Sequence, residues 1–177
     1  MSKTEYSRFD FTGALPAPKT GITVLDSALL EEAIQASRSS PRGRIILPLH
    51  KQGSDHLQRM LNAVQPGSYI RPHCHADPPK AESLLLLKGA LCFLTFFEDG
   101  QVEQTFHLEA GSPRIGIDID AGVMHTFYAL EPDTLIFECK PGPYVADQDK
   151  QFASWAPEEG SAQAADYLAK LKAISGS

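Results

Sequence analysis

Between Arg44 and Lys140 the chain is a succession of short apolar or alternating runs, punctuated by Gly, Pro and Asp. Such spacing is that of a sandwich or barrel of short strands. Eight or nine strands are expected, near residues 45–50, 57–65, 68–75, 82–88, 90–97, 101–108, 113–119, 123–130 and 133–140. Glu98-Asp99-Gly100 and Glu131-Pro132-Asp133 read as turns between them. Leu91 to Phe97 is apolar at odd and even positions alike. One face of that strand should line the barrel and the other should meet a second layer, the N-terminal arm or another subunit.

The flanks have a different texture. Residues 1–21 carry Gly13, Pro16, Pro18 and Gly21 without a sustained period and read as an extended arm. Asp26 is placed to cap a helix of about three turns beginning at Ser27, in which Leu29, Leu30, Ala33 and Ile34 share a face. The turn-rich patch Arg38 to Arg44 closes it. Beyond Lys140 a Pro-Gly-Pro stretch opens a polar tail with Phe152 and Trp155 as packing anchors. An amphipathic helix over 161–174 follows, with Ala164, Leu168, Leu171 and Ile174 on one stripe. The expected organisation is therefore one domain: arm and helix over 1–43, barrel over 44–140, tail and helix over 141–177.

A net charge of −6 with scattered Lys and Arg argues against a nucleic-acid partner. The longest apolar stretch, Leu84 to Phe97, is broken by Lys88 and Gly89 and reads as two strands rather than a membrane span. Met1 to Asp10 lacks the apolar segment of a secretory signal. Cys74, Cys92 and Cys139 are odd in number and show no C-x-x-C pairing, which suits free thiols in a reducing compartment, so the cytoplasm is expected.

The chemistry lies in Gly67 to Gly89, which contains His73, His75 and Glu82. Two histidines separated by one residue on an extended strand present both imidazoles to the same side. Imidazole and carboxylate together suit one divalent transition metal, Fe, Mn, Ni, Co or Zn. His125, entering a strand after Gly122, is the candidate to complete the set. His50, His56 and His107 read as ordinary surface or core residues. Glu138, in an apolar strand, reads most simply as a solvated outer-face residue, with a raised-pKa base as the alternative.

The order Gly67, His73-x-His75, Glu82, Gly89 resembles the first motif of the cupin superfamily, and Gly122-x-x-His125 resembles the core of its second. The resemblance implies a mainly β fold, a double-stranded β-helix or jelly-roll barrel, with His73, His75, Glu82 and His125 as the metal ligands. Arg71-Pro-His-Cys-His, Lys80-Ala-Glu82 and Glu98-Asp99-Gly100 are similar to the WbuC-type cupin metalloproteins, a family linked to bacterial surface-polysaccharide gene sets without a settled reaction. Departures from the cupin pattern are the six residues between His75 and Glu82, Asp120 in place of proline and Ala129 in place of asparagine.

Strand alternation from His73 and His75 places Tyr69 and Arg71 on the metal face as catalytic candidates, able to steady developing charge. Arg71 and Lys80 are the candidate anion contacts and Phe127 an apolar wall. The expected function is metal Lewis-acid chemistry on a small polar or anionic molecule, of isomerase, epimerase or dioxygenase type. The alternative is a non-catalytic cupin that binds a small ligand. A homodimer is expected, since strands apolar on both faces need covering.

Overall fold

The computed structural model describes residues 13–176; the first part of the arm lies outside the described residues. Strands β1 (Arg44–Pro48), β2 (Leu57–Val64), β9 (Thr134–Pro141), β4 (Glu82–Lys88) and β7 (Gly116–Ile119) form one sheet in the order β1-β2-β9-β4-β7. The second sheet has the order β10-β3-β8-β5-β6, from Gln151–Phe152, His73–Cys74, His125–Ala129, Ala90–Phe96 and Val102–Glu109. Every pairing between these strands is antiparallel. The two sheets face each other across a core that includes Val64, Leu84, Leu86 and Ile136 from the first and Leu91, Phe93, Phe127 and Ala129 from the second. This is the expected mainly β jelly-roll barrel, with one helix near each end of the chain.

Period-two alternation explains why so many strands are apolar on both faces. The outward residues Ile45, Leu47, Leu61, Ala63 and Leu135 of the first sheet pack against Ala33 and Ile34 of α1 (Ser27–Ser39). Asp26 caps that helix by accepting from the Leu29 N–H at 3.0 Å. The outward residues Cys92, Leu94, Phe96 and Tyr128 of the second sheet pack against Ala164, Leu168 and Leu171 of α2 (Ala164–Ser175). The second layer over β5 is thus a helix of the same chain. In the described part of the arm, Leu15 N–H donates to the Ile46 carbonyl at 2.8 Å, so this segment lies along β1. None of the helices among the described residues is long and apolar enough to cross a membrane.

The strand expected over 68–75 is shortened to His73–Cys74. Pro72 removes a donor and restricts the residue before it, so the ladder begins only after it. The tail contributes one strand that its composition does not announce: β10 pairs Gln151 with Cys74 and Phe152 with His73.

Candidate metal centre and cavity

His73 and His75 leave β3 on one side, Glu82 opens β4 and His125 opens β8, where it pairs directly with His73. The seven-residue step from His75 to Glu82 is held in place by two contacts of Lys80. Its N–H donates to the His75 carbonyl at 3.2 Å, and its ammonium donates to the Pro143 carbonyl at 2.9 Å. Gly122, with φ of 84°, makes the turn that delivers His125, and its N–H donates to the His75 carbonyl at 3.2 Å. That positive φ favours glycine. The two histidine-bearing segments are therefore tied together through one carbonyl.

All four side chains are buried, and one ligand atom from each lies within 4.8 Å of the others. Ligands at about 2.1 Å from a common ion stand about 3–4.2 Å apart, so the four side chains would draw closer together to hold one. Each imidazole is pinned through Nδ1 to a backbone carbonyl. His73 meets Arg71 at 2.9 Å, His125 meets Val123 at 2.9 Å and His75 meets Asp149. A carbonyl only accepts, so each Nδ1 carries a proton, and in a neutral ring Nε2 keeps the lone pair. Yet His125 Nε2 stands 2.8 Å from Glu82 Oε1, and His75 Nε2 is buried without a hydrogen-bond partner among the described residues. Lone pairs and a carboxylate crowded together require a cation among them, either a proton or a metal.

The electrostatics agree with that need. Burial holds His73 well below the ordinary histidine pKa, helped by the charge of Lys150. For Glu82, burial alone pushes the pKa up, but the imidazoles of His125 and His75 together outweigh it and hold the carboxyl well below the usual range. The site thus favours a neutral His73 and an ionised Glu82, the forms in which each can bind a metal.

The cluster opens into a cavity of about 460 Å³, a size suited to a small molecule. Ile70, Leu84 and Phe127 supply apolar wall. Arg71 lines the same cavity, but its guanidinium donates to the Ala153 carbonyl at 2.8 Å and lies 5.4 Å from the centre of the Phe152 ring. Tyr69 does not share the face of His73. Its hydroxyl donates to the Pro157 carbonyl at 2.9 Å, its ring packs on Tyr167, and burial raises its pKa. Residues 68–72 form no strand, so alternation does not extend across Pro72. Lys80 is likewise turned from the cavity, donating to Asp149 Oδ1 at 3.1 Å, because β4 begins only at Glu82.

The cavity also contains charged groups that the sequence reading left outside the site. Glu138 faces inward, which corrects its reading as a solvated outer-face residue. It is 8% exposed, accepts from Asn62 Nδ2 at 3.3 Å and lies 3.9 Å from Lys140 Nζ. Lys140 in turn donates to Asp149 Oδ2 at 2.8 Å. Burial alone would lower the pKa of Lys140, but the carboxylates of Glu138, Asp149 and Glu82 raise it instead. Lys150, from the tail, completes this wall. Alternation of Ile136, Glu138 and Lys140 was the available signal, but the intervening Leu135 and Phe137 are equally apolar and conceal its phase.

A family model described as a domain of unknown function (DUF6016) matches residues 25–108, which takes in His73, His75 and Glu82 but stops short of His125. No curated protein matches the sequence. Among solved structures, oxalate decarboxylase from Bacillus subtilis aligns at 17% identity and TM-score 0.45, covering 56% of this chain and 24% of that one. CapF with the inhibitor 3-isopropenyl-tropolone aligns at 17% identity and TM-score 0.46, covering 62% and 30%. The cupin domain of Schizosaccharomyces pombe Cnp3 aligns at 9% identity and TM-score 0.44, covering 55% and 64%. The chain spans less than a third of the oxalate decarboxylase chains it matches. The fold assignment rests on the strand order and register described above.

Proposed function

We propose that this chain is a metal-binding cupin in which His73, His75, Glu82 and His125 hold one divalent transition metal that acts on a small polar or anionic molecule such as a sugar derivative. The observation that carries this reading is the gathering of three buried imidazoles, each fixed at Nδ1 by a carbonyl, with the Glu82 carboxylate, one ligand atom from each lying within 4.8 Å of the others. When bound, the ion would supply Lewis-acid polarisation for isomerisation, epimerisation or oxygenation. The chain's own groups position the molecule: Phe127, Leu84 and Ile70 exclude water beside the cluster, while the inward charges of β9 and the tail set polarity. The thiols of Cys74, Cys92 and Cys139 are free, which supports a cytoplasmic setting. Exposed Leu85, Leu87 and Ile115, on or beside β4 and β7, support a homodimer through that face, checked by sedimentation.

Elemental analysis of untagged protein, joined to turnover assays on small organic acids and sugar derivatives, tests the reading. About one ion per chain and turnover lost on chelation and restored by metal are expected. Absence of any ion, or turnover indifferent to chelation, overturns it. A non-catalytic ligand-binding role is favoured by a second observation. Beyond Glu82, the inward carboxylates are engaged: Glu138 by Asn62, Asp149 by Lys80 and Lys140, and Glu159 by Arg44. A ligand-induced rise in melting temperature without turnover on the same panel would select that role.

A further inference from the structure

Outside the metal cluster, two polar groups in the cavity lack hydrogen-bond or ion-pair partners among the described residues. Lys150 lies next to β10, and alternation along that extended segment turns Lys150 and Phe152 toward the cavity while Gln151 faces away. Gln151 is fixed on its outer side, accepting from the Ala76 N–H at 2.7 Å and donating to the Asp77 carbonyl at 3.0 Å. The neighbouring Asp149 carbonyl holds His75, and its carboxylate holds Lys80 and Lys140. The backbone on both sides of Lys150 is thereby anchored, yet its ammonium makes no hydrogen bond or ion pair with the described residues. The second group is Asn62 Oδ1. Asn62 is 7% exposed and lines the cavity; its Nδ2 is committed to Glu138, and its Oδ1 has no partner among the described residues.

A buried acceptor and a partly buried cation left unmatched each cost stability, and a ligand supplying the complementary groups would recover it. We infer that the cavity selects a small hydroxy acid, with an anionic group on Lys150, a hydroxyl donating to Asn62 Oδ1 and a further oxygen at the metal cluster. This deepens the metal-binding reading and rests on it. Burial, and then the like charge of Lys140, lower the Lys150 pKa against the pull of Glu138, Glu82 and Asp149, and an anion seated on the ammonium would offset that lowering. Lys140 does not compete for the anion, because Asp149 and Glu138 already face it. The tail thus contributes directly to the ligand site, in addition to anchoring His75.

The test is calorimetric titration of the Mn²⁺-loaded full chain with malate, succinate and lactate. Malate, which carries two carboxylates and a hydroxyl, should bind at least about tenfold tighter than succinate, which lacks the hydroxyl, or lactate, which lacks the second carboxylate. Lys150→Met should erase the preference for malate over lactate, Lys150→Arg should retain most of it, and Asn62→Ala should erase the preference for malate over succinate. Metal content and melting temperature are measured on every variant. Should Lys150→Met fail to fold, Lys150→Gln takes its place, and the wild-type preferences stand as an independent check. A metal-loaded wild type without preference among the three acids, or a folded Lys150→Met that keeps it, overturns this inference alone. A wild type that binds no Mn²⁺ or other divalent transition metal overturns the metal reading and this inference with it.

Discussion

The two ends of the barrel interior are built from the same strands and have opposite characters. Followed inward along one face, β4 runs Leu86, Leu84, Glu82; β8 runs Ala129, Phe127, His125; and β9 runs Ile136, Glu138, Lys140. Each strand begins apolar at one end and becomes titratable at the other. At the apolar end Leu91, Phe93 and Ile136 are fully buried and carry the packing. At the other end, His73, His75, Glu82 and His125 are nearly as buried, but they crowd lone pairs and charge into a place that costs stability. The contrast separates the residues that hold the fold together from those of the proposed metal site.

Substitutions at the two ends should therefore separate cleanly. At the polar end Glu82→Ala should weaken metal affinity by more than about a hundredfold, roughly 2.7 kcal/mol or more, in a competition assay. Metal removal should lower the wild-type melting temperature but leave that of Glu82→Ala unmoved. At the apolar end Leu91→Ala should cost about 2–5 kcal/mol in denaturant unfolding while preserving metal stoichiometry. Equal effects of both variants on both measurements would break the contrast.

Gly89→Ala probes the turn between β4 and β5, where φ is 75° and an added Cβ would approach Thr134 Cα to 2.9 Å. A loss of about 1–2 kcal/mol from conformation alone, increased by that clash, is expected with metal affinity unchanged. The smallest effect belongs to Asp133, held by a two-pronged contact with Arg38, including Nε to Oδ1 at 2.8 Å. That hydrogen bonding lowers the Asp133 pKa to about 2 from its ordinary 3.8. A depressed carboxyl stabilises the fold above the unfolded pKa and loses that contribution as pH falls through the folded one. Asp133→Asn should therefore cost under about 1 kcal/mol at neutral pH and progressively less as pH falls through about 2, read from unfolding curves across that window.

Much of this arrangement was readable from residues alone, for a physical reason. Alternation and turn chemistry act over a few residues, so β2, β4, β5, β6 and β9 were expected within a residue or two of where they lie. The His73, His75 and Glu82 spacing is equally local, and His125 followed from its glycine turn. Alternation does not extend across Pro72, so Tyr69 points to the Pro157 carbonyl instead of the cluster, whereas Arg71 does line the cavity with its guanidinium held by the Ala153 carbonyl. Glu138 was given the wrong face because β9 is covered on one side by α1 and on the other by the barrel core, which removes the polar positions that would reveal its phase. Lys150 had no local signal, since its position depends on the long-range pairing of β10 with β3.

The most direct test is a crystal structure of the metal-loaded protein with anomalous diffraction collected at the edge of the bound ion. A single ion is expected, within about 2.0–2.3 Å of Nε2 of His73, His75 and His125 and of a Glu82 oxygen, with all three Nδ1 atoms still on their carbonyls. An anomalous peak elsewhere, or rings flipped to present Nδ1 to the ion, would contradict the account.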